Sequence, residues 1–244
     1  MSASLKLNTH YTVSSADTDM FSRLKLSAMA NYLIQSAISS AEQLGFGFAD
    51  LKKEHLFWVL NRLDIELHRP IMWSEELSVE TWPKNIERIF YIRDFVVRDR
   101  QNKVVAKATS AWLAIDISSK RPGNFKAEKM AVFSRLKDVH ALDYSPVKLG
   151  AFDGKKIAER HPNYYDIDLN KHVTSTRYID WMMDAFPIDF HEQHYPQHLS
   201  INYLKETMPH EPIILHHQEN EEIHLFEGFN SQQDKVAFRG KITF

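Results

Sequence analysis

The chain repeats itself. Moving it forward by 149 positions lays Asp17-Thr18-Asp19 on Asp166-Ile167-Asp168, Leu24 on Val173, and Tyr32-Leu33 on Trp181-Met182. With a different offset Trp73-Ser74-Glu75 falls near Pro209-His210-Glu211, and Lys103-Val104-Val105 falls on Lys235-Val236-Ala237, both just after a polar turn. Self-similarity on this scale means two copies of one supersecondary plan, and any fold for the chain has to contain that plan twice.

Hydrophobic periodicity shows what the plan is. In the first copy, residues 5–14 alternate as a strand, and a helix is expected over 27–44. Leu26, Ala30, Leu33, Ala37, Ala41 and Leu44 recur at three- and four-residue spacing, with Gly45 as the stop. Ile34 and Ile38 widen that stripe until the helix is apolar over much of its girth, the mark of a helix wrapped by other structure. Runs rich in β-branched and aromatic residues follow over 57–67, 77–82, 89–97 and 104–115. Residues 118–150 lose the rhythm and read as a connection. The pattern then restarts with a polar loop, a helix from about Lys171 that Pro187 ends, and strands near 199–206, 213–218, 221–228 and 235–243. The expected fold class is α+β, with one domain over 1–145 and a second over 146–244.

The copies differ where chemistry would sit. The second carries Asp168, Asn170 and His172 ahead of its helix, and Glu206 lies 34 residues past the histidine. Opposite Asn170 the first copy has Phe21, opposite His172 it has Arg23, and opposite Glu206 it has Pro70. An acid, an amide and an imidazole beside a helix start are the groups that orient and activate water next to a carbonyl, with free N–H groups where an oxyanion forms. Plainer readings exist for each. Asn170 could cap the helix, Asp168 could answer its dipole, and His172 could be an ordinary first-turn residue.

Composition removes other chemistries. There is no cysteine, which excludes disulfides, thiolate nucleophiles and thiolate-bound metals together. Lys+Arg is 30 against 32 for Asp+Glu, so no overall charge points to nucleic acid or a membrane surface. No run approaches the length of a membrane span, and the first residues contain no apolar signal core, so a soluble cytoplasmic protein is expected. Gly45-Phe46-Gly47-Phe48 follows a helix and not a strand, so it is no dinucleotide loop, and no Gly-x-Ser-x-Gly is present. His191, His194 and His198 have ligand-like spacing, but Pro196 interrupts any helix and the order of a zinc hydrolase is missing. Neither a metal nor a cofactor is expected. Lys120, Arg121, Lys126, Lys129, Arg135 and Lys137 give the connection a basic cast, as a solvated loop or as a docking patch for an acidic partner.

Several segments together resemble the acyl-[acyl carrier protein] thioesterases of plants and bacteria. They are Asp168-x-Asn170-x-His172-Val173 with Tyr178 and Trp181, Tyr203-x-x-Glu206, and Trp58-Val59-Leu60-Asn61-Arg62. Arg69-Pro70 with Trp73, Arg93-Asp94-Phe95 and Ser110-Ala111-Trp112 extend the likeness over most of the chain. The resemblance implies a tandem double hotdog, each half a long helix wrapped by an antiparallel sheet. It also implies hydrolysis of acyl-carrier-protein thioesters, with acyl carrier protein as partner and Asp168, Asn170, His172 and Glu206 as the active site. Two departures stand out. No targeting extension like that of plant members is expected, and Thr207 stands where many of them carry a cysteine after the glutamate.

On those roles Glu206 is the expected base, Asp168 the group that orients His172 or Glu206, and Asn170 a donor to the thioester or its oxyanion. Asp168 as base or nucleophile stays open, as do an acyl-CoA thioesterase, a hotdog dehydratase and a non-catalytic acyl-binding protein. The acyl tail is expected in the first half, with Met29, Leu33 and Trp58 near its wall. A tandem pair already holds two hotdogs, so monomer or homodimer are both compatible.

Overall fold

The structure, a computed structural model, describes residues 4–125 and 130–244; Lys126 and Lys129 of the basic connection lie outside the described residues. Ten antiparallel strands form one sheet. The first half supplies β1 (Leu7–Thr12), β2 (Leu56–Leu67), β3 (Glu76–Glu87), β4 (Phe90–Asp99) and β5 (Val104–Asp116). The second supplies β6 (Lys155–Arg160), β7 (His198–Tyr203), β8 (Ile213–Asn220), β9 (Ile223–Asn230) and β10 (Lys235–Thr243). The spatial order β1-β3-β4-β5-β2-β7-β10-β9-β8-β6 reads as the same arrangement from either end, with the joint at β2–β7. The offset that lays Pro70 on Glu206 also lays Asp64 on Ser200, and those two residues pair across the joint. The halves are therefore related by an approximate two-fold axis through that pair.

Helix α1 (Leu26–Gln43) crosses the first-half sheet. Leu26, Met29, Ala30, Leu33, Ala37 and Ala41 are buried, and so are Ser36 and Ser40 on its flank. Ser36 Oγ meets Thr9 Oγ1 at 2.6 Å and the Tyr11 hydroxyl at 3.0 Å, so β1 satisfies this buried hydroxyl, while Arg93 of β4 satisfies that of Ser40. A short α2 (Phe48–Lys53), not expected from the sequence, follows Gly45, which has φ +77.

The second helix departs from expectation. It starts at Ser175 and not near Lys171, and α3 (Ser175–Met183) has only 9 residues before the chain breaks ahead of Pro187 and re-forms as α4 (Ile188–Gln193). It sits close on the sheet because β10 offers Gly240, where an added Cβ would lie 2.2 Å from Met182 Sδ. Strand β6 was also not anticipated, although it occupies the place of β1 in the repeat.

One core serves both halves. Met29, Leu33, Ile65 and Phe95 share it with Ile179, Met182, Ile201 and Phe238. A second cluster lies beyond the end of α1, where Phe46, Tyr91, Phe125 and Phe133 surround Trp58. Phe125 and Phe133 belong to the connection, so part of what reads as a solvated loop is core. Farther on, the connection straps across the joint. Asp94 Oδ2 accepts the Ala141 N–H, Asp64 Oδ2 accepts the Val147 N–H, and Asn202 bonds both Val147 O and Leu149 N. The boundary expected between residues 145 and 146 falls within this strap.

Candidate active site

The loops ahead of α1 and α3 have the same backbone. Residues Ser15–Asp17 and Tyr164–Asp166 each form a single 3-10 turn. Asp19 Oδ1 accepts the N–H groups of Phe21 and Arg23, both at 2.9 Å, and Asp168 Oδ1 accepts those of Asn170 (2.8 Å) and His172 (3.1 Å). Ser22 and Lys171 take the left-handed conformation at φ 62 and 66. Leu24 N donates to Ile71 O as Val173 N donates to Thr207 O. An aspartate in this position is thus a turn-former in both halves, whatever its neighbours do.

Side chains separate the two loops. In the first, Arg23 pairs with Asp19 at 2.9 Å and donates to His191 O at 2.7 Å, which ties the loop to the other half. In the second, Asn170 is exposed and His172 half-buried. Thr174 is the residue that precedes α3, so Asn170 does not cap the helix and His172 is not in its first turn. Glu206 follows β7 with its carboxylate half-exposed, Oε1 held by Lys205 Nζ at 2.9 Å. Partial burial works against its ionisation. The Lys205 hydrogen bond, its own backbone N–H and the charges of Lys205 and His172 outweigh that, and the carboxyl lies below the ordinary glutamate range. The bond from Val173 N to Thr207 O, 2.9 Å, joins the two segments one residue past His172 and Glu206. Behind them Thr207 is fully buried, so a cysteine there would face the core and not the solvent. Its neighbour, the Tyr178 hydroxyl, is pushed up to about 12, first by burial.

An apolar cavity of about 60 Å³ opens in the first half between the C-terminal turns of α1 and the sheet. Ala37, Ile38, Ala41, Trp58, Tyr91 and Phe133 are among its walls. Met29 and Leu33 are not: both are fully buried in the shared core. Fully buried Arg93 also lines the cavity, bonded to Ser40 Oγ (3.0 Å) and Thr81 Oγ1 (3.2 Å), and burial pulls its pKa down to about 9. Across the joint Arg62 pairs with Asn202, and Asn61, at a bulge in β2, donates from Nδ2 to Tyr203 O at 3.0 Å, so Trp58 on the cavity wall stands on the strand that borders β7.

In the second half aromatic rings stand at the corresponding place. The repeat puts Phe186 where α1 has Ala37 and Phe190 where it has Ala41. Those rings stack at 4.8 Å and pack with His224, Phe226 and Phe244 into the space. The three histidines of ligand-like spacing go to separate partners: His191 to Met183 O, His194 to Phe190 O, and His198 to the Tyr144 hydroxyl. Among the described residues, no helix is long and apolar enough to cross a membrane. The residues that sequence reasoning missed are mostly small or aromatic: Ala37, Ala41, Tyr91 and Phe133. Alignment of Ala37 and Ala41 with Phe186 and Phe190 was the available signal.

Known proteins match at both levels. Residues 4–133 fit the acyl-ACP thioesterase N-terminal domain, and residues 151–244 fit the C-terminal domain of the same proteins. The chain is 27% identical over 203 residues to the chloroplastic oleoyl-acyl carrier protein thioesterase of Coriandrum sativum, covering 76% of this chain and 55% of that one. It thus spans about half the length of that plant relative. Among solved structures, an acyl-ACP thioesterase from Bacteroides thetaiotaomicron superposes with a TM-score of 0.91 at 27% identity, covering 98% of this chain and 97% of the other. The 12:0-ACP thioesterase of Umbellularia californica shares the fold at a TM-score of 0.86 and 18% identity, covering 99% and 97%.

Proposed function

The chain belongs to the acyl-ACP thioesterase family, and from that premise we propose that it hydrolyses acyl-[acyl carrier protein] to free fatty acid and free carrier protein. The carrying observation is the asymmetry between equivalent places. Polar residues suited to hydrolysis stand in the second half, and the open apolar cavity stands in the first, with Trp58 of its wall on the strand that borders β7. Where the second half would hold a tail, Phe186 and Phe190 fill the space. The second half is thus the catalytic domain and the first the acyl-binding one, with Trp58 between them.

Glu206 is the base in this reading. A water held against its carboxylate gives up a proton as its oxygen bonds the thioester carbon. The Asn170 side-chain amide stabilises the oxyanion, the C–S bond breaks, and His172 supplies a proton to the leaving thiolate. Asp168 serves by shaping the loop. Its Oδ1 is committed to two backbone N–H groups just as Asp19 Oδ1 is in the half that lacks the polar set, which favours Glu206 over Asp168.

The acidic partner is met at the sheet end where β5 closes and β2 begins. Lys120 and Arg121 lie there, with Lys120 Nζ 5.3 Å from the Phe57 ring. A cytoplasmic setting goes with this reading. Thiol release measured on matched acyl-carrier-protein and acyl-CoA substrates tests it. Turnover confined to acyl-CoA would make the chain a thioesterase of different specificity, and release from neither would make it a binding protein.

A further inference from the structure

Lys205 has a counterpart that shows what a cation at its position does by default. The offset that lays Pro70 on Glu206 lays Arg69 on Lys205 and Glu75 on Glu211. In the first half Arg69 grips Glu75 with two hydrogen bonds, 2.8 and 2.7 Å, and reaches Asp99 at 3.1 Å. Glu75 and Glu211 also do the same backbone work, accepting Met72 N and Met208 N at 2.7 Å each. In the second half the cation has left that arrangement. Glu211 is held by Asn230 Nδ2 (2.9 Å) and Gln233 Nε2 (2.7 Å), and Lys205 Nζ lies 2.9 Å from Glu206 Oε1.

Consecutive residues of a regular strand point to opposite faces and do not pair. Lys205 and Glu206 lie past the end of β7 at Tyr203, where the N–H groups of Leu204 and Lys205 both donate to Ala237 O, at 2.8 and 3.0 Å, so strand alternation does not keep these adjacent side chains apart. Partial burial works against ionisation of Glu211, but its bonds from Met208 N, Asn230 and Gln233, with the charge of Lys205 last, hold its carboxyl below the ordinary range.

We propose that Lys205 is a positioning residue for hydrolysis, clamping the Oε1 edge of Glu206 so that the carboxylate meets its water with the Oε2 edge. The proposal rests on the reading of Glu206 as base. The competing account is an ordinary surface ion pair, worth about 0–1 kcal/mol and without consequence for the chemistry. The two differ in kinetics. A clamp on the base acts on kcat and on its pH profile, because the same ammonium favours the ionised carboxylate. A bland pair alters neither.

The test uses a neutral acyl-N-acetylcysteamine thioester, which keeps carrier docking out of the comparison. Lys205→Met is expected to lower kcat about two- to fivefold below the acid limb, the kinetic equivalent of a half-exposed pair. The limb should move to higher pH with KM unchanged. Wild-type enzyme in 1 M salt should move the same way, since the pair is partly exposed, and that arm remains informative if the variant folds poorly. An unmoved limb in both arms, or a change confined to KM, overturns the proposal. Glu206→Gln separates the two layers. If it retains activity, the assignment of the base fails; if it is inactive while the limb stays fixed in the other arms, only the role of Lys205 fails.

Discussion

Filling the first-half cavity is the sharpest perturbation of the acyl-binding reading. Ala41 lines that cavity, and its equivalent Phe190 helps close the same space in the second half. Ala41→Phe therefore gives the first half an aromatic ring like those that pack at the corresponding place in the second. A ring at that depth takes the room of about three methylenes, each worth about 0.8 kcal/mol of burial. Chains long enough to reach it lose about 2.4 kcal/mol of binding, close to 60-fold in kcat/KM, and shorter chains lose little. Leu33→Phe is the control. Leu33 is fully buried in the core shared by both halves, so the larger side chain overpacks it and costs about 1–3 kcal/mol of stability with no selective loss of long substrates. The assay is kcat/KM over a ladder of saturated acyl-carrier-protein substrates, alongside thermal melts of both variants. A uniform loss across the ladder for Ala41→Phe, or a chain-length shift from Leu33→Phe alone, would refute the placement of the tail.

Glu206→Gln should lose about 10²- to 10⁴-fold in kcat while melting like wild type, since it keeps size and hydrogen bonding but takes no proton. Asp168→Asn retains an acceptor for the two loop N–H groups and should keep more activity than Asp168→Ala; a dead Asp168→Asn beside an active Glu206→Gln would make Asp168 the base. Thr207→Ala should leave kcat nearly unchanged, because the side chain is buried behind the site. Charge reversal of Lys120 and Arg121 should raise KM for carrier-bound substrate more than for acyl-CoA, and the difference should fade with salt. Asp64 is fully buried at the joint, and burial raises its carboxyl to about 6 despite its bonds to Ser200 and Val147. The folded state then holds a proton that the unfolded state has released between about pH 4 and 6, so this group's contribution falls as pH rises through that window and is level above it. Asp64→Asn should remove that slope from denaturation curves measured across pH.

Much of the architecture was legible because it is written twice. The internal repeat, the apolar girth of α1 and the alternating strands need only local periodicity, and two copies of the same pattern expose the few positions where they disagree. Asn170, His172 and Glu206 stood out in that way, against Phe21, Arg23 and Pro70. The role of Asp168 did not, since an aspartate stands at Asp19 too, and only matching hydrogen bonds in the two loops show that both shape a turn. The start of α3 was misplaced for the same reason: a polar turn ahead of an apolar run looks like a first helical turn until its backbone is known. Tertiary structure alone decided the cavity. A cavity is defined by side chains that stay small while distant neighbours close around it. Ala37 and Ala41 say nothing of this until Trp58, Tyr91 and, from the connection, Phe133 are seen to enclose the space. Nor does sequence tell which carboxylate a lysine faces. Arg69 and Lys205 occupy the same place in the repeat, and a shared carbonyl at Ala237 turns Lys205 toward Glu206 while Arg69 keeps to Glu75.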